Sequence, residues 1–190
     1  EVDRTMKYHT MRLLCELGSD PTAYYTRPSL AIYSFKSALL LSIEKQNYEL
    51  FELFCLYGRS IRRIRGPSDE SVLHMIIQQY TGSRDTTLLK MARKLLEIAA
   101  IDIENDMTEN GNTVLHTAAF LGKNQLVKLL LHQLQQQYRS SSVNDWNLDG
   151  MSPLMMAVMN NQVETAKLLV KVGGAKPNAV NSAGETVLHV

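Results

Sequence analysis

The stretch Asn110–Leu134, NGNTVLHTAAFLGKNQLVKLLLHQL, decides the fold of this 190-residue chain. It contains two short segments with helical apolar spacing, separated by Gly122, a residue that tolerates the positive φ found where helices end. Thr113 can cap the first segment, because its side-chain oxygen can accept a hydrogen bond from a free backbone N–H of the first turn. Neither short helix could bury its own leucines, so the pattern predicts a helix pair that stacks on copies of itself.

Copies of this pattern recur along the chain. Ser152 opens one of them, with Pro153 at the first helical position, where a missing N–H costs nothing. Weaker or truncated copies open at Ser37, Ser71 and Thr186. The capping positions 37, 71, 113, 152 and 186 are therefore separated by 34, 42, 39 and 34 residues. Both separations of 34 residues are close to the period of about 33 that is typical of ankyrin repeats.

These motifs make the chain resemble the ankyrin-repeat family, whose signature reads T-P-L-H-x-A-A, then G, then a leucine-rich helix and G-A-D. The resemblance covers nearly the whole chain and is most specific over Thr113–Gly122 and Asp149–Ala179. It implies an all-α solenoid of stacked antiparallel helix pairs, with long irregular fingers, the loops that precede the first helix of each repeat.

The repeat pattern also predicts the domain organisation. We expect one ankyrin-repeat domain over residues 1–190, with a partial repeat at 1–22, repeats one to four starting near 37, 71, 113 and 152, and a partial repeat from 186. Since the two terminal units are incomplete, we expect the natural chain to continue in both directions.

A polar pair in each repeat is given a role by the resemblance. In the family, the Thr and His side chains of the signature brace the loop between neighbouring repeats. The matching pairs are Ser71 with His74, Thr113 with His116, and Thr186 with His189. After Ser152 the histidine position is held by Met155, so we expect that junction to depend on packing alone. The histidines occupy one register of successive repeats and therefore cannot converge on a metal ion.

The composition limits the classes of function. A net charge of +1 argues against a general nucleic-acid or membrane surface, which needs a clustered surplus of positive charge. No apolar run approaches the ~18 residues of a membrane span. Cys15 and Cys55 stand where the repeat buries a leucine, and we interpret them as core residues of an intracellular protein, in the cytoplasm, the nucleus or the cytosolic part of a membrane protein.

Motifs for phosphate binding, zinc binding or an activated nucleophile are missing from the sequence, which therefore predicts neither an enzyme nor a cofactor. The resemblance instead implies a non-enzymatic interaction module, a scaffold or adaptor that binds a protein partner through its concave face and its fingers. We expect no direct contact with nucleic acid, and none with a membrane within this segment.

Candidate contact residues lie in three loops. The loop after Gly58 contains four arginines, which could contact an acidic protein surface, a phosphate or a nucleic-acid backbone, or could form a solvated loop with Ile61 and Ile64 turned inward. These arginines are Arg59, Arg62, Arg63 and Arg65. Two finger tips supply the other candidates, which are Asp106, Glu109, Asn110, Asp145, Trp146, Asn147 and Leu148. Trp146, the only tryptophan, could anchor a partner or pack against the neighbouring finger.

Two more specific functions stay open. Repeat three is over-long and is followed by a serine-rich loop and N-x-x-N from Asn144 to Asn147, a layout similar to that of IκB-type inhibitors, which mask Rel transcription factors. We interpret the segment from Gln133 to Ser142 itself as a solvated insertion. Long irregular fingers also occur in the cytosolic ankyrin domains of ion channels.

Overall fold

The computed structural model of the protein describes residues 2–20, 24–25, 36–57, 61–82, 84–98, 105–137 and 140–190. These residues form nine α-helices, which confirms the expected all-α fold. Their only strands are β1 (Tyr24–Tyr25) and β2 (Lys36–Ser37), an antiparallel pair of two residues each. No helix in these ranges is both long and apolar enough to cross a membrane. The chain divides into two compact units, Glu1–Ile64 and Arg65–Val190.

The first unit contains three helices. They are α1 (Val2–Glu16), α2 (Ala38–Glu44) and α3 (Tyr48–Tyr57). Helices α2 and α3 form an antiparallel pair around the buried side chains of Leu39, Ile43 and Phe51, and α1 packs on α3. Between α2 and α3, Gln46 adopts the left-handed φ of 49° at the position where the repeat pattern has glycine. Most of the long finger predicted between Tyr24 and Lys36 lies outside the described residues.

The second unit contains three helix pairs. These are α4 (Val72–Gln79) with α5 (Thr86–Glu97), α6 (Val114–Phe120) with α7 (Asn124–Gln136), and α8 (Pro153–Met159) with α9 (Val163–Lys171). The first helices of the pairs pack side by side, and so do the second helices, which gives two layers. Apolar side chains at helical spacing fill the space between the layers, including the fully buried Ile76, Leu95, Leu115 and Leu130.

Local sequence explains where the first helices begin and end. The side chains of Ser71, Thr113 and Ser152 each accept a hydrogen bond from the backbone N–H three residues further on, which satisfies a donor of the exposed first turn. Helix α6 ends just before Gly122, which has a φ of 65°. Asn161 takes the corresponding left-handed conformation after α8, with a φ of 53°, because the short polar side chain of asparagine tolerates it.

Two segments differ from the sequence-based expectation. The serine-rich loop is not simply solvated, because Ser140–Asn144 forms a 3-10 helix whose Val143 is buried and packs against Gly173. Residues 186–190 form turns instead of the first turn of a helix. The long second helix expected for repeat three is present as α7.

Candidate interaction groove

A groove of about 690 Å³ lies in the second unit, between the fingers and the first helices of the repeats. We number the fingers of this unit as finger one (65–71), finger two (105–113), finger three (145–152) and finger four (178–186). The groove is lined by Ser68 and Glu70 of finger one, Thr108, Asn110 and Asn112 of finger two, Asp149 and Met151 of finger three, and Gln78, Thr117, Phe120, Leu121, Met156 and Met159 in or beside the first helices. One wall is therefore made by loops and the other by helices.

Backbone hydrogen bonds fix the shape of each finger. In finger two the N–H of Thr108 donates to the carbonyl oxygen of Asn112 over 3.0 Å, and the N–H of Gly111 donates to Thr108 over 2.8 Å. Finger three repeats this arrangement, with Asn147 N–H to Met151 at 3.0 Å and Gly150 N–H to Asn147 at 3.0 Å. Each finger is thus a tight turn whose tip backbone is held by its own bonds.

Neighbouring fingers are also hydrogen-bonded to each other. The N–H of Glu109 donates to the carbonyl oxygen of Ser68 over 3.0 Å, which joins finger two to finger one. Likewise, the N–H of Leu148 donates to the carbonyl oxygen of Asn110 over 3.1 Å, which joins finger three to finger two. The loop wall of the groove is therefore a continuous row of three fingers.

His116 ties the start of helix α6 to finger three. Its Nδ1 lies 3.2 Å from the backbone nitrogen of Thr113 and 2.8 Å from Oγ1 of the same residue, while its Nε2 lies 3.0 Å from the carbonyl oxygen of Met151. Because Nδ1 accepts from a backbone N–H, the ring proton belongs on Nε2, which then donates to the carbonyl. Burial lowers the pKa of His116 from its ordinary value of 6.5 to about 4, so the ring is neutral near pH 7.

His74 makes the equivalent contacts one repeat earlier. Its Nδ1 lies 2.8 Å from the hydroxyl oxygen of Ser71, and its Nε2 lies 3.1 Å from the carbonyl oxygen of Asn112 in finger two. Burial is again the main cause that lowers its pKa. Both histidines therefore connect a helix cap to the finger of the following repeat.

The other two predicted braces differ. Met155 replaces the histidine after Ser152; its side chain is fully buried, and Ser152 Oγ accepts from the backbone N–H of Met155 at 3.3 Å. In the last pair, Oγ1 of Thr186 lies 2.9 Å from Nδ1 of His189, but the His189 side chain is exposed.

Two of the predicted contact residues lie inside the fingers, which corrects their placement on the partner surface. Asp106 is 7% exposed and forms an ion pair with Arg65, which also contacts the carbonyl oxygen of Asp69. Asn147 is 6% exposed; its Oδ1 accepts from the backbone N–H of Met151 at 2.8 Å, and its Nδ2 donates to Oδ1 of Asn112 at 2.7 Å. These polar groups hold the fingers in position.

The remaining candidates either lie at the surface or fall outside the residues that the structure describes. Glu109 and Asn110 are exposed at the tip of finger two, and only Asn110 lines the groove. In finger three, Leu148 is 78% and Trp146 38% exposed, and Asp145 is half-buried. Of the arginine-rich loop, Arg63 is exposed beside the buried Ile61 and Ile64, whereas Arg59 and the side chain of Arg62 lie outside what the structure describes.

Sequence reasoning predicted a concave binding face but named no contact residue on the helical wall of the groove. Thr117 with Phe120, and Met156 with Met159, are spaced by three residues, and each pair therefore lies on one side of its helix. Their partly exposed large side chains contrast with the buried leucines of the same helices. That contrast was the available signal, since these positions are offset from the core stripe.

The chemistry of the groove suits binding contacts. Its lining combines hydroxyl, amide and thioether groups, one aromatic ring and the carboxylates of Glu70 and Asp149. Among the side chains that the structure describes, no cluster of three or more His, Cys, Asp or Glu residues could hold a metal ion.

The family model for ankyrin repeats (many copies) matches residues 115–170. In three dimensions the chain is similar to the ankyrin repeat domain of Bcl-3, a unique member of the IkappaB protein family, with a TM-score of 0.70 and 20% sequence identity. That match covers 97% of this chain and 73% of the Bcl-3 chain. At this level of identity the likeness shows a shared fold.

Two curated relatives match about half of the chain each. The nuclear factor NF-kappa-B p105 subunit of Gallus gallus is 34% identical over 86 residues, which is 45% of this chain and 8% of that protein. The NAD-dependent deacetylase sir2B of Dictyostelium discoideum is 23% identical over 121 residues, which is 50% of this chain and 16% of that protein. The chain thus spans less than a fifth of the length of either relative.

Proposed function

Because this chain belongs to the ankyrin-repeat family, we propose that it is a non-enzymatic interaction module whose groove binds a protein partner. The observation that carries this proposal is the apolar part of the helical wall of the groove, formed by the partly exposed side chains of Phe120, Met156 and Met159. Met159 alone is 53% exposed. Apolar side chains at the centre of a patch with a polar rim are typical of protein interfaces.

The rigidity of the fingers supports the same function. Binding costs less when the contacting loops are already ordered, because little conformational entropy is lost. Finger two is held to finger one by the bond between Glu109 and Ser68, and to finger three by the bond between Leu148 and Asn110. The exposed side chains of these tips, Glu109, Asn110 and Leu148, are therefore presented from a fixed backbone.

A second candidate is more specific: the module masks a transcription factor, as an IκB-type inhibitor does. Two comparisons favour it, the fold shared with the Bcl-3 ankyrin domain and the 34% identity to the p105 subunit over 86 residues. This candidate implies an intracellular location. It differs from the scaffold function in the identity of the partner, while the binding surface is the same.

Site-specific photo-crosslinking tests the proposed function. A benzophenone amino acid placed at Met159 in the groove should crosslink a defined protein from the cells that express this chain. The matched control places the same group at Lys128, an exposed position on the second helix α7. A purified partner should then bind the unmodified chain, and Met159→Glu should weaken binding about tenfold or more, since a charge would be buried among apolar contacts.

The two candidates predict different partners in this experiment. A Rel-type transcription factor crosslinked at position 159 would support the inhibitor function, and another protein would support the scaffold function. Equal crosslinking of the same proteins from positions 159 and 128 would overturn the groove as the binding surface.

A further inference from the structure

The first helices bring no charge to the groove. Their sequences are VLHMIIQQ in α4, VLHTAAF in α6 and PLMMAVM in α8, without any lysine, arginine, aspartate or glutamate. The histidines of α4 and α6 are buried and carry no charge near pH 7, because burial lowers their pKa. The charged side chains that line the groove, Glu70 and Asp149, both come from the fingers.

The charges of the fingers that face solvent are negative. Glu70 and Asp149 line the groove, and Asp69 and Glu109 are exposed on the same fingers. The one cation in fingers one to three is Arg65, which is engaged by Asp106 and Asp69. The rim of the groove is therefore acidic, although the chain as a whole has a net charge of only +1.

The carboxylate of Glu70 is held in the groove by two neutral hydrogen-bond donors. Its Oε2 accepts from the backbone N–H of Ser68 at 2.8 Å, and its Oε1 lies 3.4 Å from Nε2 of Gln78. Both partners are neutral, so they orient the carboxylate without cancelling its charge. A cationic side chain from a partner can supply the opposite charge.

The positive charge of the second unit is concentrated on the second helices. Helices α5, α7 and α9 carry six lysines or arginines and two glutamates, of which Glu164 is already paired with Lys167 at 2.7 Å. The six are Lys90, Arg93, Lys94, Lys128, Lys167 and Lys171. The two layers of helices thus give this unit two faces of opposite character.

We infer, on the basis of the proposed binding function, that the groove takes a protein segment in which lysine or arginine side chains alternate with apolar ones. Basic side chains would pair with Glu70, Glu109 and Asp149, and apolar ones would contact Phe120, Met156 and Met159. The flexible thioether side chains of the two methionines can adapt to apolar groups of different shape. The helical wall therefore requires an apolar side chain in the bound segment but does not require one particular type. An acidic segment or a phosphate backbone would meet like charge along the rim.

A second copy of this chain does not fit the groove as well. Its basic segment, residues 59–65, contains four arginines and two isoleucines, but Ile61 and Ile64 are buried in the folded chain. That loop therefore offers its arginines, but not its apolar side chains, to the groove of another copy.

Three fluorescent synthetic peptides test the inference by anisotropy. One alternates leucine with lysine, the second replaces each lysine with glutamate, and the third replaces each leucine with serine. The first should bind at least tenfold more tightly than either of the others. Its advantage over the glutamate peptide should shrink as salt is raised, because exposed charges are screened within about 8–10 Å. Equal affinity for the lysine and glutamate peptides would overturn the inference, and so would equal affinity for the leucine and serine peptides.

Matched variants locate the binding. The triple change Glu70→Gln, Glu109→Gln and Asp149→Asn should weaken the leucine–lysine peptide about tenfold, while a glutamine at position 70 can still accept from Ser68. The control Lys90→Gln, Lys128→Gln and Lys167→Gln removes as many charges from the second helices and should weaken it less than twofold. Circular dichroism establishes that both variants are folded. Unchanged affinity in the carboxylate variant would overturn the inference.

Two outcomes separate this inference from the proposed function. If position 159 crosslinks a partner through an acidic or uncharged segment, the binding function stands and the inference is wrong. If the chain associates with itself and Met159→Glu abolishes that association, the occupant is a second copy and the inference is again wrong. Failure of every crosslink at position 159 would remove the function and the inference together.

Discussion

The junctions after repeats three and four bury different side chains at equivalent positions, a histidine in one and a methionine in the other. His116 and Met155 occupy equivalent positions, three residues after the capping residues Thr113 and Ser152, and both side chains are completely buried. The His116 ring bonds its own cap and the carbonyl oxygen of Met151 in finger three. Met155 fills the equivalent space with apolar atoms.

The same contrast separates finger three from finger four. Asn147 and Asn181 both use Oδ1 to accept two backbone N–H groups of their own finger. Yet Nδ2 of Asn147 donates to Asn112 of the preceding finger, whereas Nδ2 of Asn181 donates to Glu185 of its own finger. Each finger therefore folds through local bonds, and its attachment to the neighbouring repeat is a separate property.

The largest expected effect comes from truncating each buried side chain. His116→Ala should reduce the free energy of unfolding by about 3–5 kcal/mol, because it leaves a cavity and also leaves the Thr113 N–H and the Met151 carbonyl unpaired. Met155→Ala should cost about 2–3 kcal/mol, since it leaves a cavity only. Urea denaturation of both variants measures the difference.

Replacing His116 with methionine, the residue at the equivalent position of repeat four, separates the effect of the hydrogen bonds from that of the buried volume. His116→Met retains most of the buried volume and loses the polar bonds, so we expect it to cost about 1–2 kcal/mol, less than the alanine variant. Equal losses in His116→Met and His116→Ala would mean that the hydrogen bonds, and not the filled volume, stabilise the junction. Equal losses in the two alanine variants would mean that the bonds contribute nothing.

The pH dependence of stability should also distinguish the two junctions, because His116 titrates and Met155 does not. The pKa of His116 is about 4 in the folded chain and ordinarily 6.5, so the unfolded chain binds a proton that the folded chain excludes between these values. Stability is then complete above about pH 6.5 and falls as the pH is lowered towards 4, by up to about 3 kcal/mol. His74, whose pKa is also lowered, contributes in the same direction.

The His116→Met variant isolates this effect. Thermal unfolding between pH 7 and pH 4.5 should show a shallower loss of stability in the variant than in the unmodified chain, while His74 still titrates in both. Parallel curves for the two proteins would contradict the assignment of a buried neutral ring at position 116.

Local signals were sufficient to predict the helix pairs. A capping residue, an apolar stripe and a residue with left-handed φ all lie within one repeat, and α6 accordingly begins after Thr113 and ends before Gly122. The 3-10 helix Ser140–Asn144 escaped prediction because a single apolar residue, Val143, has no periodicity that could reveal its burial.

The candidate site was harder to predict because its contacts are distant in sequence. Asp106 looked like a tip residue, but its partner Arg65 is 41 residues away. Asn147 likewise bonds Asn112, 35 residues away. Residue type alone could place these side chains in fingers, whereas only the stacking of the repeats decides which of them face inward.

The last comparison uses one glycine from each of three fingers to test how closely neighbouring fingers approach. Gly111, Gly150 and Gly184 have φ values of 72°, 69° and 80°, so alanine at any of them should cost about 1–2 kcal/mol of backbone strain. A Cβ at Gly111 would lie 2.9 Å from Cγ of Leu148. At Gly150 the nearest atom to a Cβ would be Nδ2 of Asn181 at 3.4 Å, and at Gly184 nothing would lie within 4 Å.

Gly111→Ala should therefore reduce the free energy of unfolding by about 1–2 kcal/mol more than the other two variants, because finger three must move away. It should also speed amide exchange at Leu148, whose N–H bonds the carbonyl of Asn110. Equal losses in all three variants would mean that finger three moves away from Gly111 at no measurable cost.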